Sequence, residues 1–196
     1  MNILVLLSAA SGLALLAACG AAEPPEAPPL AGAKIGGPFA LIGEDGRAVT
    51  DRDLAGKWRV MYFGYTFCPD VCPTDAQNIA AGLKRLEAED AGRAAAVTPV
   101  FVTIDPARDT PDVLRRFTDA FHPRMLGLTG GEEAIADAAK AYAVYYRKGE
   151  TSAGGGYLMD HQRVAYLMDP QGRPVALLPS DKSGEAVAAE LKRWVR

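Results

Sequence analysis

The chain has 196 residues, 49% of them apolar, so it is long enough for a signal segment and one domain with a sizeable core. Its 21 basic and 24 acidic residues give a formal net charge of −3, and neither a basic block nor a stripe of basic and aromatic residues is present. We therefore expect no nucleic-acid partner. Three cysteines are too few for a disulfide-stabilised scaffold.

The first 18 residues are typical of a secretory signal. Residues 3–18 are apolar apart from Ser8, Ser11 and Gly12, and this run is shorter than the roughly 20 residues that span a bilayer as a helix. It ends in LAAC at residues 16–19, which resembles a bacterial lipobox, although Met1 and Asn2 before it supply no Lys or Arg. We therefore predict a signal peptide over residues 1–18 and lipidation of Cys19. An ordinary secretory signal and a short membrane anchor are the alternatives.

All three interpretations place the domain that follows outside the cytoplasm. Lipidation would hold it on the periplasmic side of a bacterial membrane. Residues 19–35 contain four prolines among Ala and Glu, a composition that cannot form a core. The sequence therefore predicts a semi-extended tether over residues 19–35 and a folded domain over residues 36–196.

Apolar periodicity predicts alternating strands and helices in the folded domain. Helices are predicted over residues 73–92, 111–122, 132–142 and 183–195. Pro73 suits the first helical position, and Thr110 with Pro111 marks another helix start. Strands are predicted over residues 37–42, 47–49, 58–65, 97–104, 124–128, 163–168 and 174–178. This order favours an α/β fold with a central mixed sheet, flanking helices and an added N-terminal β-hairpin.

Two cysteines, Cys68 and Cys72, follow the apolar strand that ends near residue 65 and come just before the first helix. In a coiled segment, positions i and i+4 lie about 5–6 Å apart at Cβ, close enough for a disulfide or for a shared soft metal ion. A strand that leads into a two-cysteine turn at a helix N-terminus is the thioredoxin-like arrangement. The helix terminus favours the thiolate, whereas Phe63, Tyr65 and Phe67 oppose ionisation.

The spacing is CxxxC, one residue longer than the CxxC of thioredoxins. Thioredoxin-like redox enzymes carry a cis-proline facing the cysteines, but residues 157–163 contain no proline and contain His161 instead. Two thiolates and an imidazole form a ligand set suited to Cu(I) or Cu(II). Met159 could add a soft contact, although a Met in an apolar segment is more often part of the core. The other histidine, His122, is interpreted as a helix C-terminal cap.

Seven separated motifs over about residues 36–196 resemble the SCO/SenC family. They are DLAGK at residues 53–57, YFGYT at 62–66, CPDVCPT at 68–74, FVTIDP at 101–106, RDTP at 108–111, GLTG at 127–130 and the pair Asp160-His161. This chain departs from the family pattern at Gln162, where a Ser or Thr often follows the histidine. The lipobox also replaces the transmembrane anchor common in other members.

The resemblance implies a thioredoxin-like copper protein that helps to build the dinuclear copper centre, CuA, of cytochrome c oxidase. Carried over by position, Cys68 and Cys72 would be paired thiolate ligands and His161 the third ligand of one copper ion. Asp160 would be a neighbour that orients the ligand loop. The implied partner is the copper-bearing subunit of the oxidase, and we expect a monomer. Asp105 and Arg108 match a motif near the site, but we interpret them as a structural turn.

The chief rival is an enzyme, a thiol–disulfide oxidoreductase that reduces target cysteines through the redox pair Cys68 and Cys72. The two functions overlap, because the same thiols must be reduced to bind copper. A peroxidase-like thiol protein is a weaker third interpretation. It needs a positive neighbour such as Arg, and no Arg adjoins either cysteine in the sequence.

Overall fold

The protein is described here by a computed structural model over residues 26–196. The predicted signal peptide and the lipidation site Cys19 lie outside the described residues. Strands in the described part are β1 (Ala40–Gly43), β2 (Ala48–Thr50), β3 (Trp58–Gly64), β4 (Val97–Thr103), β5 (Leu126–Thr129), β6 (Tyr146–Lys148), β7 (Met159–His161), β8 (Ala165–Met168) and β9 (Pro174–Leu178). Helices are α1 (Val71–Glu89), α2 (Ala91–Ala95), α3 (Pro111–Asp119), α4 (Glu132–Ala141) and α5 (Gly184–Trp194).

Seven strands form one mixed sheet in the order β2-β1-β5-β4-β3-β8-β9. The central strands β3, β4 and β5 are parallel, while β1 and β2 on one side and β8 and β9 on the other are antiparallel to their neighbours. Strands β3 and β4 are near-continuous apolar runs because their residues are buried on both faces of the sheet. The predicted α/β fold with its N-terminal hairpin is confirmed.

Strands β6 and β7 form a separate two-stranded antiparallel sheet that the sequence did not predict. Each strand has only three residues, and ten residues separate them, so neither gives a clear periodic pattern. Tyr146 pairs with His161, Arg147 with Asp160, and Lys148 with Met159. This small sheet carries the histidine that the sequence singled out.

The boundaries of α1 differ from the prediction at both ends. The helix begins at Val71 rather than at Pro73, and Pro73 is tolerated two positions later because the first N–H groups of a helix have no intrahelical partner. It ends at Glu89 rather than at Gly92. The Asp90 side chain accepts a hydrogen bond from the Arg93 N–H and starts the short helix α2.

The described part of the predicted tether contacts the domain. The Leu30 N–H donates to the Val175 carbonyl at 3.0 Å, and the side chains of Leu30 and Ile35 pack against the core. The Glu26 carboxylate pairs with Arg193 of α5. In residues 26–196, no helix has the length and hydropathy needed to cross a membrane.

Candidate metal centre

The cysteines lie where the centre of the sheet meets a helix N-terminus. Strand β3 ends at Gly64, and the loop after it carries Cys68 up to Asp70, the residue that precedes α1. Cys72 lies in the first turn of α1 and is fully buried, whereas Cys68 is half-buried. Both are free thiols. The Cys72 N–H donates to the Cys68 Sγ atom at 3.5 Å, which shows how the helix start faces the first sulfur.

The two thiols have opposite electrostatic environments. Burial opposes ionisation of Cys68, but hydrogen bonds from the backbone N–H groups of Cys72, Asp70 and Val71 outweigh it and lower the pKa of this thiol. Burial raises the pKa of the Cys72 thiol far above its ordinary value, and the nearby charge of Cys68 raises it further. The helix N-terminus therefore dominates at Cys68 and burial dominates at Cys72, because only Cys68 is close to solvent.

His161 lies at the end of β7 and faces the cysteines. Its Nε2 atom is 3.3 Å from the Sγ atom of Cys72, and its ring meets the ring of Tyr65 edge-on at 6.0 Å. The Nδ1 atom is 2.9 Å from the Gln162 carbonyl. Because a carbonyl can only accept, Nδ1 must carry the hydrogen, so the lone pair of the neutral ring is on Nε2 and points at the sulfur. Burial lowers the pKa of His161, which also favours the neutral ring.

The three predicted ligands are brought to one end of the sheet but are not drawn into a closed set. The Cys72 sulfur contacts the His161 ring, and the Cys68 sulfur accepts a hydrogen bond from the backbone N–H of Cys72. Within residues 26–196, no group of three or more His, Cys, Asp and Glu side chains already lies close enough together to hold a metal ion.

The carboxylate of Asp160 points away from His161. It accepts a hydrogen bond from Arg147 Nε at 2.9 Å, and Arg147 is its partner across the β6–β7 ladder. The contact is exposed, so solvent screens it and it adds little to stability. Gln162 adds a second link, because its side-chain oxygen accepts from the Tyr145 N–H at 2.7 Å. Both contacts orient β7 relative to β6. Within residues 26–196, no hydrogen bond joins the Asp160 carboxylate to the imidazole of His161.

A buried ion pair next to the site was not foreseen from the sequence. Asp75, one turn after Cys72 in α1, is fully buried and accepts two hydrogen bonds from Arg163, from Nε and Nη2, both at 2.7 Å. It also accepts one from the Tyr62 hydroxyl at 2.9 Å. Asp residues in helices are mostly exposed, so only the apolar residues around Asp75 could have suggested that it is buried.

The loop after β4 supports the other side of the histidine segment. Asp105 pairs with Arg108 at 2.5 Å and accepts a hydrogen bond from the Tyr157 hydroxyl at 2.8 Å. The Arg108 guanidinium lies 3.7 Å from the centre of the Tyr157 ring and donates to the Tyr157 carbonyl. The turn that we predicted at Asp105 is present, since the Asp109 N–H bonds back to the Asp105 carbonyl. Its side chains additionally hold the segment that leads to β7.

Asp109 ties this loop to the cysteine loop. It is fully buried, and its carboxylate accepts from the N–H and hydroxyl of Thr66 at 3.0 and 2.6 Å and from the Thr103 hydroxyl at 2.6 Å. Thr66 lies two residues before Cys68. Burial raises the pKa of Asp109 despite these hydrogen bonds.

The other candidates from the sequence lie in structural positions. The His122 N–H donates to the Thr118 carbonyl at the end of α3, and its buried ring lies between Glu87 and the N–H of Arg124. The C-cap of α3 is Ala120, so His122 lies just beyond the cap that we predicted for it, and only its backbone N–H bonds to the helix end. Met159 is partly buried against the core.

The family model described as SCO1/SenC matches residues 27–196 of the chain. This chain belongs to the SCO1/SenC family. It is 47% identical over 161 residues to the protein SenC of Rhodobacter capsulatus, covering 81% of this chain and 69% of that protein. It is 44% identical over 146 residues to the SCO1 homolog 1 of Arabidopsis thaliana, covering 74% of this chain but only 42% of that protein. The match to the plant protein thus spans less than half of its length.

Solved structures confirm the thioredoxin-like fold of the family. The Bradyrhizobium japonicum ScoI structure with copper bound gives a TM-score of 0.73 at 41% identity, covering 82% of this chain and 99% of that one. The Arabidopsis ScoI structure with copper bound gives 0.75 at 39% identity, covering 81% and 97%. A SCO1/SenC family lipoprotein from Bacillus anthracis gives 0.67 at 25% identity, covering 83% and 95%.

Proposed function

We propose that this protein binds one copper ion through Cys68, Cys72 and His161 and delivers it to the CuA centre of cytochrome c oxidase by ligand exchange. The observation that carries the proposal is the 3.3 Å contact between Cys72 Sγ and the Nε2 atom of His161 beside a second free thiol. Two thiolates and a neutral imidazole suit copper in either common oxidation state. Similar proteins from Bradyrhizobium and Arabidopsis have been solved with copper bound.

The unequal exposure of the ligands suits a protein that must release its cargo. Cys72 is fully buried and Cys68 is half-buried, so an incoming thiolate of the acceptor would reach copper from the Cys68 side. With Cu(I) and two thiolates, the formal charge of the centre is +1 − 2 = −1. The hydrogen bonds from the start of α1 to the Cys68 sulfur help to stabilise that charge.

Delivery is tested directly by copper transfer. The reduced, Cu(I)-loaded chain is mixed with the reduced, copper-free domain of the oxidase subunit that carries CuA, and copper is measured in both proteins after separation. We expect copper to move to the oxidase domain. Retention of all copper by the loaded chain would contradict delivery, while a chain that takes up no copper would contradict the whole proposal.

We also propose that the protein acts as a monomer held on the periplasmic side of a bacterial membrane by a lipid on Cys19. A SCO1/SenC relative from Bacillus anthracis is described as a lipoprotein, which supports this form of anchoring. In cells fed a labelled fatty acid, the wild-type protein should carry the label and the Cys19→Ala protein should not. A wild-type protein that stays in the membrane fraction without the label would instead favour a retained apolar anchor.

A thiol–disulfide reductase is the second candidate, and the opposite pKa shifts of the two thiols favour it. The Cys68 thiolate would attack one sulfur of a target disulfide, which releases one target thiolate and forms a mixed disulfide. The Cys72 thiol would then give its proton to the first released target thiolate, attack the Cys68 sulfur, release the second target thiolate and leave a Cys68–Cys72 disulfide. Two electrons pass to the target in total.

The reductase is distinguished by single cysteine variants. Reduction of an oxidised CuA-domain disulfide by a stoichiometric amount of the reduced chain should fail with Cys72→Ser, which should stop at the mixed disulfide with Cys68. Full reduction by Cys72→Ser would contradict a mechanism that uses both thiols. The His161→Ala variant should keep this reaction even though it loses copper.

A further inference from the structure

Cys72 and His161 come from distant parts of the chain, and the strand ladders do not hold them together. His161 belongs to the small β6–β7 sheet, which is separate from the seven-stranded sheet. The chain rejoins the main sheet only at β8, where Ala165 pairs with Tyr62. Residues 162–164 between these sheets have no regular structure. Something other than backbone pairing must therefore fix the histidine relative to α1.

The buried pair Asp75–Arg163 lies at the required place. Asp75 is three residues after Cys72 on α1, a distance of about 4.5 Å along the helix axis. Arg163 is two residues after His161, and two extended residues span at most about 7 Å. The two hydrogen bonds of 2.7 Å between them therefore close a ring that runs from Cys72 through Asp75, Arg163 and His161 back to Cys72.

The geometry of the pair makes it a stiff link. A carboxylate and a guanidinium that share two parallel hydrogen bonds fix orientation as well as distance. The Asp75 carboxylate is fully buried, and its third hydrogen bond comes from Tyr62, which is itself buried in β3. The Arg163 side chain is 34% exposed, so part of its guanidinium stays solvated while Nε and Nη2 donate to Asp75. Separating the pair would leave the Asp75 carboxylate buried without a partner, which is strongly unfavourable, so the pair stays formed.

We propose that Asp75 and Arg163 are positioning residues that set the separation of Cys72 and His161 for copper binding. This inference rests on the proposed copper site and adds to it the part of the chain that preorganises the imidazole. Residues that orient metal ligands from behind commonly contribute about 10–100-fold to metal affinity. We expect an effect of that size here, since the imidazole reaches Cys72 only when the segment after it is held.

The test measures Cu(I) affinity by competition with a chelator, and the Cu(II) electron paramagnetic resonance spectrum, in the full chain purified in detergent. We expect Arg163→Ala to raise the Kd for copper about 10–100-fold and to change the spectrum, and Arg163→Lys to recover part of both. Arg124→Ala is the matched control, because it also breaks an arginine–carboxylate pair, with Glu87, and removes carbonyl contacts far from the site. Its copper Kd should stay within about twofold of the wild type at comparable thermal stability.

The outcomes separate the role of the Asp75–Arg163 pair, which we call the clamp, from the copper site itself. Wild-type Kd and spectrum in a folded Arg163→Ala protein would overturn the clamp, and loss of copper in His161→Ala would then leave the proposed function standing. Wild-type binding in both variants would overturn both proposals. If Arg163→Ala does not fold, the double variant Asp75→Asn/Arg163→Gln removes both charges but keeps hydrogen-bonding groups. We expect a weaker Kd there as well, and wild-type binding by a folded double variant would likewise overturn the clamp.

Discussion

The Sγ atom of Cys72 lies 3.3 Å from the Nε2 atom of His161, although 89 positions separate the two residues in the sequence. The sulfur is fully buried, and the imidazole presents its lone pair because Nδ1 is engaged by the Gln162 carbonyl. Cys68 is the more exposed third member with the lower thiol pKa. The site thus combines a preformed pair with one accessible sulfur.

The opposite environments of the two thiols predict unequal reactivity. At neutral pH we expect iodoacetamide to modify Cys68 at least about tenfold faster than Cys72, because the thiolate is the nucleophile and one pKa unit changes the thiolate fraction about tenfold. The pH midpoint of the Cys68 reaction should lie below that of a free thiol, since its pKa is lowered. Peptide mapping by mass spectrometry follows both sites, and equal labelling of the two cysteines in the folded protein would refute this assignment.

Gly64 provides the space that Cys72 occupies. A Cβ atom at this position would lie 2.8 Å from the Tyr62 ring and 3.1 Å from the Cys72 sulfur. We expect Gly64→Ala to lower the free energy of unfolding by about 1–3 kcal/mol through overpacking and to weaken copper binding by displacing the sulfur.

Gly154→Ala is the control for this substitution, because within residues 26–196 no atom other than those of its chain neighbours lies within 4 Å of the added Cβ. Chemical denaturation and copper titration of the two variants give the comparison. A Gly64→Ala protein with wild-type stability and wild-type copper affinity would show that the sulfur is not confined in this way.

Asp109 predicts a pH-dependent stability. Burial raises its pKa in the native state, so the folded protein binds the proton more tightly than the unfolded chain. Stability contributed by this group is therefore highest below the ordinary carboxyl pKa and decreases as the pH rises from there through the raised native value. Relative to Asp109→Asn, the wild type should lose free energy of unfolding over this window. A difference between the two proteins that is constant with pH would contradict the shift.

Much of the main sheet could be predicted from the sequence because its signals are local. The apolar runs of β3 and β4 indicated buried parallel strands, and Thr110 before Pro111 marked the start of α3, where the Thr110 hydroxyl accepts from the Val113 N–H. The paired cysteines and His161 could be singled out by residue type and by resemblance to the SCO/SenC family.

The contacts that organise the site could not be predicted. Asp75 and Arg163 are 88 positions apart, and neither residue type nor spacing indicates that they meet. The β6–β7 sheet was missed because three-residue strands on either side of a glycine-rich loop carry no periodic signal. The position of the Asp160 side chain, on Arg147 rather than toward the imidazole, depends on the register of that sheet.

The most direct measurement for the central claim is a copper titration of the reduced chain, followed by absorption and electron paramagnetic resonance, for the wild type and His161→Ala. The chain has only two histidines, so His122→Gln is a matched control that alters a ring used for structure. We expect one copper per chain in the wild type and in His122→Gln, and much weaker binding with an altered spectrum in His161→Ala. Full copper affinity with an unchanged spectrum in His161→Ala would contradict the Cys68–Cys72–His161 site.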